Sequence, residues 1–234
     1  MSTFAAQMDF GKSALTMLRR LLVLAVVLSL VLALIPTPVL AAGQTFHFRF
    51  ARKGAEGGWT NCPTQPAPGV VCTDTFLFVA EEVLKEDGSS FQGTTLFIDQ
   101  FSYKFDRKGN FIFVSETFGF GEAILGVDQQ LTSASASATI PLTICTVDRK
   151  GNFTCADSGT ASVNASWIGT GDLVRVHDNF HVVSKGFTIN SHFNGKFRDA
   201  SASAQVNGND VGAQFFATIL EVRTGDVFVC HGGC

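Results

Sequence analysis

Tyrosine and tryptophan are nearly missing from a chain otherwise rich in aromatic residues: one Tyr and two Trp stand beside 23 Phe. A transmembrane β-barrel carries Tyr and Trp girdles at both membrane interfaces and a polar lumen, and this composition speaks against one. Charge is also sparse, with Asp, Glu, Lys and Arg making up 16% of the residues. The basic residues are dispersed, whereas phosphate binding needs Lys and Arg grouped on one surface; no nucleic-acid partner is expected. Catalytic signatures are missing too. There is no Gly-x-Ser-x-Gly elbow and no His-Glu-x-x-His helix, and Gly11-Lys12-Ser13 lacks the upstream glycine of a phosphate loop. Nothing in the sequence calls for a cofactor.

A long membrane-spanning run is lacking as well. The apolar stretch Leu21 to Ile35 covers 15 residues, short of the roughly 20 that a spanning helix needs. Arg19 and Arg20 precede it, Pro36 and Pro38 end it, and the small residues Ala41-Ala42-Gly43 follow. A positive segment, an apolar segment and a small-residue exit, in that order, make a secretory signal. Residues 1–42 are therefore expected to be a signal peptide, with Met17 as an alternative translation start, and residues 43–234 a single domain. Residues 1–42 hold three basic residues and one acidic, so the remainder carries 14 Lys and Arg against 19 Asp and Glu, a net charge of −5. The processed chain is expected to be secreted or extracytoplasmic, with no stable membrane span.

All six cysteines fall after the signal, and an even count in an exported chain reads as disulfides. Their spacing suggests local pairs: Cys62–Cys72, Cys145–Cys155 and Cys230–Cys234. Paired Cys-x-x-Cys units are absent, which disfavours zinc, and no metal site is expected.

What is present has a period of two. Phe46, Phe48 and Phe50 alternate, as do Phe76 and Phe78; Phe101, Tyr103 and Phe105; Phe111 and Phe113; and Phe118 and Phe120. Alternation of this kind places residues on one face of a strand. Asp87-Gly88 reads as a hairpin turn. The hexapeptide Asp106-Arg107-Lys108-Gly109-Asn110-Phe111 recurs as Asp148-Arg149-Lys150-Gly151-Asn152-Phe153. Each copy reads as a three-residue hairpin loop with Gly in the left-handed region, and in the second copy this register sets Cys145 opposite Cys155. Ser and Ala alternate in three stretches, around residues 133–138, 161–166 and 200–204. These read as strands with Ala inward, leaving room for bulky Phe, and hydroxyls outward. The expected fold is all-β: a single antiparallel β-barrel, with a β-sandwich as the alternative, of about ten strands after an N-terminal signal helix.

Three histidines gather late in the chain. With a turn at Lys185-Gly186, His181 pairs with Asn190 and Asn179 with His192. A second turn at Asn194-Gly195 or Gly195-Lys196 then brings Asp199 opposite or diagonal to His192. One face would carry His177, His181, His192 and Asp199, and the other Val, Phe, Ile and Ala. A carboxylate orienting a histidine is the core of a general-base pair, although the polar side of a half-buried sheet has the same pattern without any function. Two functional classes follow. The favoured one is a non-catalytic binding or structural protein, taking an apolar small molecule in a Phe-lined interior or an extracellular macromolecule. The alternative is a secreted hydrolase or isomerase acting through His177, His181, His192 and Asp199. For the processing step, N-terminal sequencing of the extracellular protein is expected to start near Ala42 or Gly43; a start at Met1 or Leu21 contradicts the signal.

Overall fold

Phe, Val, Ile and Thr alternating with small or polar residues favour a pleated backbone whose successive side chains point to opposite faces. The computed structural model describes residues 45–148 and 151–230, where the chain is all-β and contains no helix. Eleven strands follow one another: β1 (Thr45–Thr60), β2 (Val71–Glu86), β3 (Ser89–Phe105), β4 (Phe111–Glu122), β5 (Ile124–Val127), β6 (Ser133–Val147), β7 (Phe153–Gly169), β8 (Val174–Val183), β9 (Phe187–Val206), β10 (Asn209–Asp210) and β11 (Ala213–Cys230). All of them belong to one antiparallel sheet. Its pairings run β9–β11–β1–β2–β3–β4–β6, and β7 joins β6 back to β9, so that eight strands form a closed ring. Strand β5 lies along β6, and β8 and β10 lie along β9. The expected signal peptide over residues 1–42, with its alternative start at Met17, lies outside the described residues.

The turns follow local chemistry. Asp87 and Gly88 both take positive φ (37° and 92°) between the paired residues Glu86 and Ser89, as a two-residue hairpin of the favoured hand requires. The described residues of the two hexapeptide copies make the same turn contacts. Asp106 accepts hydrogen bonds from the Asn110 backbone and side-chain amides at 2.9 and 2.8 Å, and Asp148 accepts the same pair from Asn152. Gly109 and Gly151 sit at φ 81° and 84°. The second loop sets Val147 against Phe153 and Cys145 against Cys155.

Two disulfides are formed, Cys62–Cys72 and Cys145–Cys155, with Cα separations of 4.7 and 4.0 Å. The third expected pair, Cys230–Cys234, ends outside the described residues.

The expected turn at residues 194–196 is not made. Strand β9 runs straight through it, and Gly195 pairs with Val222 on one side and Val176 on the other. A side chain on Gly195 would collide with the rings of Phe193 and Phe197. Here glycine is a space left under two aromatic rings on the same strand face. The chain turns instead at Asn207-Gly208, where both φ values are positive (52° and 78°) and Val206 pairs with Asn209.

The core also differs from expectation. Its buried members include Trp59, Trp167, Leu77, Val79, Leu96, Ile98, Leu131, Ile140, Val163 and Ile219, set against a wall of Ala on β6, β7, β9 and β11. None of the described phenylalanines is among the buried residues, so the Phe-lined interior is not there. The physical reason is space. Ala134, Ala136, Ala161, Ala165, Ala200 and Ala204 are small because two indoles and several Leu and Ile side chains already fill the volume they leave. Gly119 and Gly121 likewise lie under Leu142 and Ile140. Each indole is anchored through its N–H: Trp59 Nε1 donates to the Ala202 carbonyl at 3.2 Å, and Trp167 Nε1 to the Glu56 carbonyl at 2.9 Å. The bonds tie β1 to β9 and β7 to β1. Replacing Trp167 with Ala is expected to cost about 3–5 kcal/mol, the range for emptying a core aromatic site. Urea unfolding of the variant measures it, and a loss under 1 kcal/mol contradicts the bracing role.

Candidate functional site

Strand β8 puts His177, Asn179 and His181 on one face, and β9 answers with Asn194, His192 and Asn190 directly opposite. Every cross-strand pair is therefore one histidine and one asparagine. His177 Nδ1 lies 2.7 Å from Asn194 Oδ1, His192 Nδ1 2.6 Å from Asn179 Oδ1, and His181 Nδ1 2.6 Å from Asn190 Oδ1. An amide oxygen only accepts, so each ring donates from Nδ1. Asn179 Nδ2 in turn donates to His177 Nε2 at 3.2 Å. The result is an ordered, exposed ladder of hydrogen-bonded histidines and asparagines.

Asp199 does not join it. With no turn at 194–196, Asp199 lies seven residues along β9 from His192, on the other face, and pairs with Thr218 of β11. At the rise of an extended strand that is roughly 23 Å. The amides orient the rings as a carboxylate would, but they add no negative charge to stabilise an imidazolium, the service a general-base pair draws from its acid. Among the described residues, no group of three or more His, Cys, Asp or Glu is placed to hold a metal ion.

The opposite face is apolar and continues around much of the ring. On β2, β3 and β4 the side chains opposite to the core are Phe76 and Phe78; Phe97, Phe101, Tyr103 and Phe105; and Phe111, Phe113, Phe118 and Phe120. Many touch one another: Phe101 and Phe113 centroids are 5.3 Å apart, Tyr103 and Phe111 5.2 Å, and Phe113 reaches Phe153 of β7 at 6.2 Å. Phe118 is 37% exposed and Phe120 61%. At the border of this face Arg52 lies over the rings of Phe50 and Phe78, at 5.1 and 5.0 Å, while its guanidinium pairs with Glu82.

Within this aromatic field stands Asp99. It is directly opposite Phe76 on one neighbouring strand and Phe118 on the other, and Phe97 and Phe101 flank it two residues away on its own face. Its Oδ1 atom is buried with no hydrogen-bond partner. Burial, and then the charge of nearby Glu116, push its carboxyl up to about 6. Asp128 shows the contrast. Some desolvation acts on it too, but Thr132, Ser133 and Gln130 donate hydrogen bonds to it and hold it well below the usual carboxylate range.

The outer side of β6, β7 and β9 is of a different kind. Ser135, Ser166 and Ser203 align across the three strands, and Ser137, Asn164 and Gln205 form the next row. Ser166 and Ser203 hydroxyls are 3.0 Å apart. With Ile124 and Asp210 these rows line an open groove of about 490 Å³. The Ser and Ala alternation thus has the expected sense, hydroxyls out and methyls in.

Sequence reasoning did not single out Asp99. Its signal was present: Phe97, Asp99 and Phe101 share a parity, so a strand reading places the carboxylate on the Phe face. The chain matches no protein-family model, no curated protein and no solved structure.

A raised carboxyl pKa means that folding favours the protonated form. The contribution of Asp99 to stability is fully present below about 4, its value in the unfolded chain, and is lost as pH rises through about 6. Exchanging Asp99 for Asn removes that penalty. The variant is expected to be more stable than the parent by about 3 kcal/mol at pH 7, with the gap closing toward pH 4. Urea unfolding at both pH values checks this; a destabilised variant at pH 7 contradicts it.

Proposed function

We propose that this chain is an exported, non-catalytic interaction protein, and that its closed ring of strands is a β-barrel displaying its aromatic outer face as the binding surface. One observation carries the reading: the interior is filled by Trp, Leu, Ile, Val and Ala, while the phenylalanines lie on the outer side, several of them half exposed or more. Soluble chains rarely leave a contiguous apolar surface of this extent uncovered unless something binds there. An apolar ligand or partner is thereby offered a surface rather than a cavity, and an extracellular macromolecule suits a surface better than a small molecule, which needs enclosure. The two disulfides fit an oxidising compartment. No helix among the described residues is long and apolar enough to cross a membrane. The alternative of a hydrolase or isomerase on the histidine ladder draws no support from a geometry that separates His192 from Asp199.

The test replaces two exposed rings. A Phe118→Ser, Phe120→Ser double variant of the processed chain is expected to keep its unfolding midpoint within about 2 °C of the parent. Its adsorption to an octyl-coated sensor surface should fall at least about fivefold. Unchanged adsorption removes the aromatic face as the binding surface, and hydrolysis of a generic ester panel that is lost in His192→Ala would favour the enzyme reading.

A further inference from the structure

The outer face of β2, β3 and β4 is acidic as well as aromatic. Strand parity puts Asp74, Asp99, Glu116 and Glu122 among its rings. The basic residues of those three strands, Lys85 and Lys104, fall on the other parity, and Arg52, on the outward parity of the adjoining β1, is engaged with Glu82. Asp74 has a partner in the Tyr103 hydroxyl, which donates at 3.4 Å. Asp99 has none for its buried oxygen. A half-buried carboxylate with an unmet acceptor is costly in a free protein, and proteins pair such groups or leave them neutral. Among the described residues, no hydrogen-bond partner reaches that oxygen.

Resting on the reading of the aromatic face as a binding surface, we propose that this face docks a cationic polypeptide segment, one carrying Lys or Arg beside apolar side chains, with Asp99 as the central contact and Glu116 as a second. The chemistry is complementary on both counts. Aromatic rings take up the apolar side chains and attract a cation over their faces. The carboxylates supply opposite charge in a partly desolvated setting, where it discriminates most strongly between partners. A polypeptide fits better than a small amine because the charges spread over three adjacent strands, and the groove on the outer side of β6, β7 and β9 does not include Asp99.

The experiment uses the processed chain and two labelled twelve-residue probe peptides, one alternating Lys and Leu and the other Glu and Leu, with binding read by fluorescence anisotropy. The Lys–Leu peptide is expected to bind and the Glu–Leu peptide to bind at least tenfold more weakly. Binding of the Lys–Leu peptide should weaken as salt is raised, and also as pH is lowered from 7.5 to 5. Asp99→Asn should lower its affinity at least tenfold at pH 7.5 and abolish that pH dependence, while Glu116→Gln should lower it by a smaller factor. Equal affinity for parent and Asp99→Asn overturns the proposal, as does preference for the Glu–Leu peptide. The Phe118→Ser, Phe120→Ser variant separates the two readings. If it loses the Lys–Leu peptide while Asp99→Asn does not, the aromatic surface stands and the acidic centre falls; if neither variant matters, both fall.

Discussion

Two indole rings determine what every other aromatic residue in the ring can do. Trp59 and Trp167 are almost completely buried and tied by hydrogen bonds to carbonyls on other strands. A closed ring of eight strands has an interior just wide enough for side chains to fill. Once two tryptophans occupy it, the facing wall must be built of the smallest residues. That wall is the Ala of β6, β7 and β9 and the Gly of β4. No volume is left for Phe, and the phenylalanines lie on the other parity of their strands. The exposed aromatic face, and with it the setting of Asp99, follows from how the interior is filled.

The parity of the strands was legible in the sequence; the choice of face was not. In Phe76-Leu77-Phe78-Val79 both parities are apolar, and alternation cannot say which points inward. Size decides, and size is a property of the whole interior. The segment Phe118-Gly119-Phe120-Gly121 held a usable clue, since glycines alternating with Phe mark close approach of another element as readily as a turn. Here Ile140 and Leu142 press onto the glycine side, which makes it the inner one.

Two Asn-Gly pairs show how local chemistry can mislead and what corrects it. Asn207-Gly208 turns and Asn194-Gly195 does not. At the first, Val206 and Asn209 pair across the loop. At the second, a two-residue turn would place His192 beside Phe197 and Phe193 beside Lys196, mixing the faces. Leaving the strand straight separates Phe193, Gly195 and Phe197 from His192, Asn194 and Lys196. Along the straight strand Gly195 lies beneath the rings of Phe193 and Phe197, where a side chain would collide, and this packing outweighs a favourable turn dipeptide. The loops at Asp106 and Asp148 were legible for the converse reason: aspartate, glycine and asparagine cooperate within one loop, and nothing outside it has to agree.

The candidate site follows the same division. The histidine ladder was readable up to the pairs set by the Lys185-Gly186 turn, His181 with Asn190 and Asn179 with His192, and unreadable beyond it, since the place of Asp199 depended on the second turn. Asp99 had the opposite fate. Its parity was plain, but its meaning required knowing that the Phe face points out. On an inner face it would have been a buried charge in the core; on the outer face it is a carboxylate held among rings where either a proton or a partner's cation can meet it. Glu116 makes the proton easier to hold and, by the same negative potential, the cation easier to attract. Under the proposed reading, which of the two Asp99 takes is a matter of pH and of what cation is present in solution, and the cost it imposes on the free protein sets this face apart from a merely apolar one.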